Sequence, residues 1–170
     1  MPLSLLIPAL LLQAAAPAQD AEQAYRDRFD TALIEICPEA VRTGGALLRD
    51  PARLGPSGFT LVSDQGGATI ARAIDIEVAY MHGQAVCHLQ PVARDAAADA
   101  RFTARWTDFA KRNYPAVDFA RELAAPQWLP RPIHVTDAPG GGFLMIMGHV
   151  SARGSIPEVY VISVMAPPRK

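Results

Sequence analysis

Ile70-Ala71-Arg72-Ala73-Ile74-Asp75-Ile76-Glu77-Val78-Ala79-Tyr80-Met81-His82-Gly83-Gln84-Ala85-Val86-Cys87-His88-Leu89-Gln90-Pro91-Val92 reads as two β-strands joined by a tight turn at His82-Gly83. A two-residue hairpin turn wants φ > 0, which Gly supplies, and placing it there makes Met81 face Gln84 and sets the register. Side chains alternate between the two faces, so Ile74, Ile76, Val78 and Tyr80 meet Pro91, Leu89, Cys87 and Ala85 on one apolar face. The other face carries Asp75, Glu77 and Ala79 against Gln90, His88 and Val86. A slip of one residue would mix the two sets, so the pattern supports the pairing and turns Cys87 toward the core.

Cys87 has one counterpart, Cys37. From Asp20 to Cys37, the residues Ala21, Tyr25, Phe29, Leu33, Ile36 and Cys37 recur at helical spacing, which predicts an amphipathic helix ending in Cys37 just before Pro38, where a helix stops or restarts. At the start of the chain, an apolar run from Leu3 to Leu12 leads to Ala16-Pro17-Ala18. That is the form of a signal peptide with an A-x-A cleavage site, although its leading end holds neither Lys nor Arg. Residues 1–18 are therefore expected to be removed, leaving one domain over 19–170 in a periplasmic or secreted, oxidising setting. In that setting Cys37 and Cys87 are expected to form a disulfide; the alternative is two reduced, buried thiols. Closing a loop of about 50 residues would stabilise the fold by roughly 4 kcal/mol.

Elsewhere the pattern alternates between strand and helix. Gly58 to Ser63 reads as a strand, Asp64-Gln65-Gly66-Gly67 as a turn, and a strand starting near Ala68 completes a three-stranded meander. Asp95 caps a helix through Phe102, Trp106, Phe109 and Ala110, and Pro115 opens a second one through Leu123. Three further strands follow: Ile133 to Thr136, Phe143 to Val150 and Ile156 to Met165. The last two are apolar on both faces, as in the centre of a covered sheet or at a binding surface. The fold class is α+β: a mainly antiparallel sheet of about six strands packed by an N-terminal helix and a middle helical segment.

Composition excludes more than it assigns. The 16 basic residues, all Arg except Lys111 and Lys170, balance 17 acidic ones to a net charge of -1 and form no run, which argues against a nucleic-acid surface. No later stretch is long and apolar enough to span a membrane. His82, His88, His134 and His149 occur singly, so no metal is expected, and no phosphate loop or nucleophile elbow calls for a cofactor.

One constellation follows from the assumed register. Asp75 and Glu77 share a face, with His88 across from Glu77 and Gln90 across from Asp75; two carboxylates about 7 Å apart beside an imidazole suit general acid/base hydrolysis, and equally suit a solvated sheet face. The first functional expectation is a non-enzymatic binding or interaction domain for a protein or small apolar ligand. Its surface would use Phe143, Met145, Met147 and Tyr160, with Trp106 and Trp128 lining a pocket. A small hydrolase using Asp75, Glu77 and His88 is the second expectation, and a self-associating structural protein, in the simplest case a homodimer, the third.

Overall fold

The computed structural model describes residues 15–113, 134–137, 143–153 and 156–165, with side chains described over 19–112 and 161–165. Helix α1 (Ala15–Thr31) passes through a single π turn (Ala32–Ile36) directly into α2 (Cys37–Thr43). Pro38 accounts for the irregular turn: it has no N–H to continue the helical ladder, and the helix widens by one π turn before α2 begins. The predicted stripe is buried at Tyr25, Phe29, Leu33, Ile36 and Cys37, whereas Ala21, near the free end, is exposed. Gly44 ends α2 in the left-handed conformation at φ 63°, and Gly45 follows at φ 83°. A short 3₁₀ turn (Ala46–Arg49) then leads to α3 (Pro51–Leu54), whose first turn Asp50 caps by accepting from the Ala52 N–H at 3.0 Å.

The sheet comprises β1 (Thr60–Gln65), β2 (Ala68–Arg72), β3 (Ile76–Met81), β4 (Val86–Pro91), β5 (His134–Asp137), β6 (Phe143–Arg153) and β7 (Ile156–Met165). Its order is β1-β2-β3-β4-β7-β6-β5 and every pairing is antiparallel, which gives seven strands where the sequence suggests about six. The meander has four strands rather than three. The stretch expected to form one strand over Ile70–Met81 folds back on itself at Ala73-Ile74-Asp75, so that Arg72 pairs with Glu77 and Ile70 with Ala79. Gly66 and Gly67, both at positive φ, make the two-residue turn between β1 and β2.

The β3–β4 hairpin departs from expectation in register and in turn. His82, Gly83, Gln84 and Ala85 form a four-residue turn, Gly83 is not at positive φ, and Ala85 takes the left-handed conformation instead at φ 50°. Met81 therefore faces Val86 and Tyr80 faces Cys87, a shift of two residues. An even shift keeps every side chain on its own face, so Ile76, Val78, Tyr80, Cys87 and Leu89 all enter the core as expected. Ile74 does not: it lies in the bend before β3 and is 84 % exposed.

Cys37 and Cys87 are disulfide-bonded with Cα atoms 5.4 Å apart, tying α2 to β4. Helix α4 (Ala96–Asn113) is capped by Asp95, which accepts from the Ala98 N–H at 2.8 Å. It buries Phe102, Trp106, Phe109 and Ala110, and the rings of Phe102 and Phe109 lie 5.4 and 6.3 Å from Phe29 of α1. Ile162 and Val164 of β7 join the same core. Burying these aromatic and aliphatic side chains drives the assembly, each contributing about 1.5–3 kcal/mol. The second helix expected after Pro115, and Trp128, lie outside the described residues.

Candidate functional site

The register decides the fate of the acid/base constellation. With β3 and β4 paired as observed, Glu77 faces Gln90 and His88 faces Ala79, so the expected Glu77–His88 cross-strand pair does not form. Glu77 instead accepts from Gln90 Nε2 at 2.5 Å and from Arg72 Nε at 2.9 Å. His88 Nδ1 lies 2.8 Å from Ser163 Oγ on β7, and Ser163 and Ala79 on that face are buried, so it is not the open wet face expected. Asp75 precedes β3 and is held by Arg28 of α1, whose Nε and Nη2 reach Oδ1 and Oδ2 at 3.0 and 2.5 Å. This pairing holds the Arg28 guanidinium above its ordinary pKa through the charge-assisted bonds. Both carboxylates are thus engaged by arginines, and neither lies directly across the ladder from an imidazole.

The bend that carries Asp75 also builds a concavity. Tyr25 of α1, Ile74, Pro91 and Val92 at the end of β4, and Ala98 and Arg101 of α4 enclose a pocket of about 250 Å³. The backbone closes one side of it, Val92 N–H donating to the Asp75 carbonyl at 3.0 Å. The central carbon of the Arg101 guanidinium lies over the Tyr25 ring, 3.7 Å from its centroid, and the group also donates through Nε and Nη2 to Glu22 Oε2 at 3.1 and 2.8 Å. Burial pushes the Tyr25 phenol well above its usual pKa, so the pocket floor is a neutral aromatic surface. The arrangement is a mainly apolar hollow lined also by the Arg28-paired Asp75, with one arginine at its rim and a largely exposed isoleucine beside it.

A second polar cluster joins the 3₁₀ turn after α2 to the first hairpins. Arg49 donates to both oxygens of Asp64 at 2.7 and 2.8 Å and to Thr69 Oγ1 at 3.0 Å, while Thr69 Oγ1 lies 2.9 Å from His82 Nε2. Arg49, and then the Thr69 hydroxyl, hold the Asp64 carboxyl down at about 2. Thr69 is wholly buried, so its hydroxyl is inaccessible to a substrate and the cluster acts as a clamp.

No protein-family model, curated protein or solved structure matches this chain.

The remaining expected site residues divide by location. Trp106 is 1 % exposed and stacks on Phe109 at 6.1 Å, so it packs the core. Phe143 opens β6, where it pairs with Asp137 of β5, while Met145 and Met147 pair with Met165 and Ser163 of β7. Tyr160 lies where the β6–β7 register steps between His149 and Val150; the side chains of these four lie outside the described residues. Among the described residues no group of three or more His, Cys, Asp or Glu could hold a metal ion, and no helix is long and apolar enough to cross a membrane. Sequence reading missed Tyr25, Ile74 and Arg101 as neighbours because they come from three elements with no shared spacing. No local signal marked the bend, since Ile74-Asp75-Ile76-Glu77 keeps the alternation of a continuous strand.

Proposed function

We propose that this chain is an exported binding domain whose disulfide fastens the helical layer to the sheet and whose ligand site is the hollow beside Ile74. The observation that carries the reading is an isoleucine 84 % exposed at the mouth of a pocket floored by Tyr25, Pro91 and Val92. A large apolar side chain held in water beside an apolar hollow, with charged pairs around it, has the make-up of an interaction centre and its rim. Its size suits a small apolar ligand, since drug-sized molecules take about 300–1,000 Å³. Export rests on the leading segment ending at Ala18 and agrees with the Cys37–Cys87 bond.

The test uses 1-octanol as an uncharged, mainly apolar probe, followed by NMR. Saturable shifts confined to Ile74, Val92 and Ala98 are expected, and Ala98→Trp, which fills the hollow, should abolish them while leaving the melting temperature near that of the parent. Shifts spread over the surface, or none, would defeat the site assignment. Expressing the full chain and weighing the product tests export: the expected N-terminus is Gln19 in the extracytoplasmic fraction, and an uncleaved cytoplasmic chain would overturn it.

Self-association is a second reading. The edge strand β1 leaves Leu61 and Val62 46 and 51 % exposed, and an exposed strand edge is a template for pairing with another chain. A solution mass that rises with concentration, and falls back in Val62→Lys, would support it.

A further inference from the structure

Arg101 makes fewer bonds than its chemistry allows. A guanidinium presents five N–H donors, and Arg101 directs two of them, through Nε and Nη2, at a single oxygen, Glu22 Oε2. Nη1 has no hydrogen-bond partner among the described residues, and the side chain is 40 % exposed. The contact with the Tyr25 ring and the two bonds to Glu22 hold the guanidinium at the pocket, leaving Nη1 open. The other charged groups there are already matched: Asp75 has both oxygens on Arg28, and Glu22 also receives Arg26 at 3.4 Å.

We infer that the ligand of the Ile74 hollow is a small free monocarboxylate with an apolar body, its tail seated against Tyr25, Pro91 and Val92 and its carboxylate on the open edge of Arg101. The inference rests on the binding-domain reading and adds the headgroup. A cationic headgroup would be repelled by the Arg101 guanidinium, and the nearby carboxylates, Asp75 and Glu22, are already paired with arginines. A neutral one would accept a single ordinary hydrogen bond. A carboxylate accepts two parallel N–H bonds and matches the fork geometry that arginine offers. The size of the hollow favours a short aliphatic or single-ring acid over a long-chain one, since each further CH₂ must find apolar surface to cover it.

The experiment is isothermal titration of the full mature chain with octanoate, 1-octanol and octylamine in parallel, repeated with Arg101→Gln and Ala98→Trp. Octanoate is expected to bind about tenfold or more tighter than 1-octanol, the gain of a charge-assisted over a neutral contact. Arg101→Gln should erase the advantage of octanoate, so that octanoate and 1-octanol bind the variant equally, while Ala98→Trp should remove both. Raising the salt concentration should weaken octanoate alone. Equal affinities for octanoate and 1-octanol, or tighter octylamine, would overturn the headgroup assignment while the hollow stands as the site. Failure of all three probes to bind would overturn the site reading itself. Because the Arg101 side chain is 40 % exposed, Arg101→Gln is expected to fold, and a melting temperature and amide spectrum matching the parent verify it.

Discussion

Reducing the Cys37–Cys87 bond should weaken the fold by about 4 kcal/mol. The bridge spans 50 residues, from the first turn of α2 to the second residue of β4. Closing a loop of that size removes about 14 cal/mol/K from the unfolded chain, or about 4 kcal/mol at room temperature. A typical domain is stable by about 5–15 kcal/mol, so the reduced protein retains a fold with a much smaller margin. For a chain of this length the melting temperature should fall by about 8–16 °C. The assay is urea unfolding followed by far-ultraviolet dichroism, with and without reductant added under unfolding conditions, since both cysteines are fully buried in the native state. The slope against urea should rise on reduction, because an uncrosslinked chain exposes more surface when it unfolds. Curves that coincide to within about 1 kcal/mol would show that the bridged and reduced unfolded chains are equally restricted, and would refute the loop-entropy argument.

Three further outcomes follow from local geometry. Ala85→Gly should stabilise by about 0.5–1 kcal/mol, because Ala85 is at φ 50°, where a Cβ costs about 1–2 kcal/mol and the added freedom of the unfolded chain offsets part of the gain; thermal unfolding measures it. Gly45→Ala should destabilise by about 2–5 kcal/mol, since the residue is at φ 83° and a Cβ would lie 2.6 Å from Cδ1 of the buried Tyr80 ring; a loss under about 1 kcal/mol would contradict the packing. Arg49→Gln should raise the Asp64 carboxyl from about 2 toward its ordinary 3.8, read by carboxyl-carbon NMR. The Asp64 value is depressed by folding, so its contribution is present above pH about 3.8 and is lost as the pH falls through about 2.

The contrast between face and register shows what kind of information a sequence holds. Alternation in Ile76–Met81 and Val86–Pro91 has a period of two, so it specifies which side chains point inward and is indifferent to an even shift of pairing. Cys87 was therefore legible as a core residue, and its bond to Cys37 with it, while the partner of His88 was not. A left-handed Ala85 lengthens the turn, and nothing in the local residues announces it, since Gly83 is the position that chemistry favours. The break at Ala73-Ile74-Asp75 is hidden for a similar reason: it holds neither Gly nor Pro, and the strand pattern reads straight through it.

By itself the sequence determined the helical stripe of α1, the inward face of the β3–β4 hairpin, the disulfide and the Asp95 cap, all of which follow from short-range periodicity and single-residue chemistry. Only the tertiary structure decided that Glu77 faces Gln90, that Arg28 holds Asp75, and that Tyr25, Ile74 and Arg101 enclose one hollow. Those pairings join elements up to 76 positions apart, from Tyr25 to Arg101, and chain periodicity carries no signal over such a distance. The packing of α1 and α4 against the sheet brings them together.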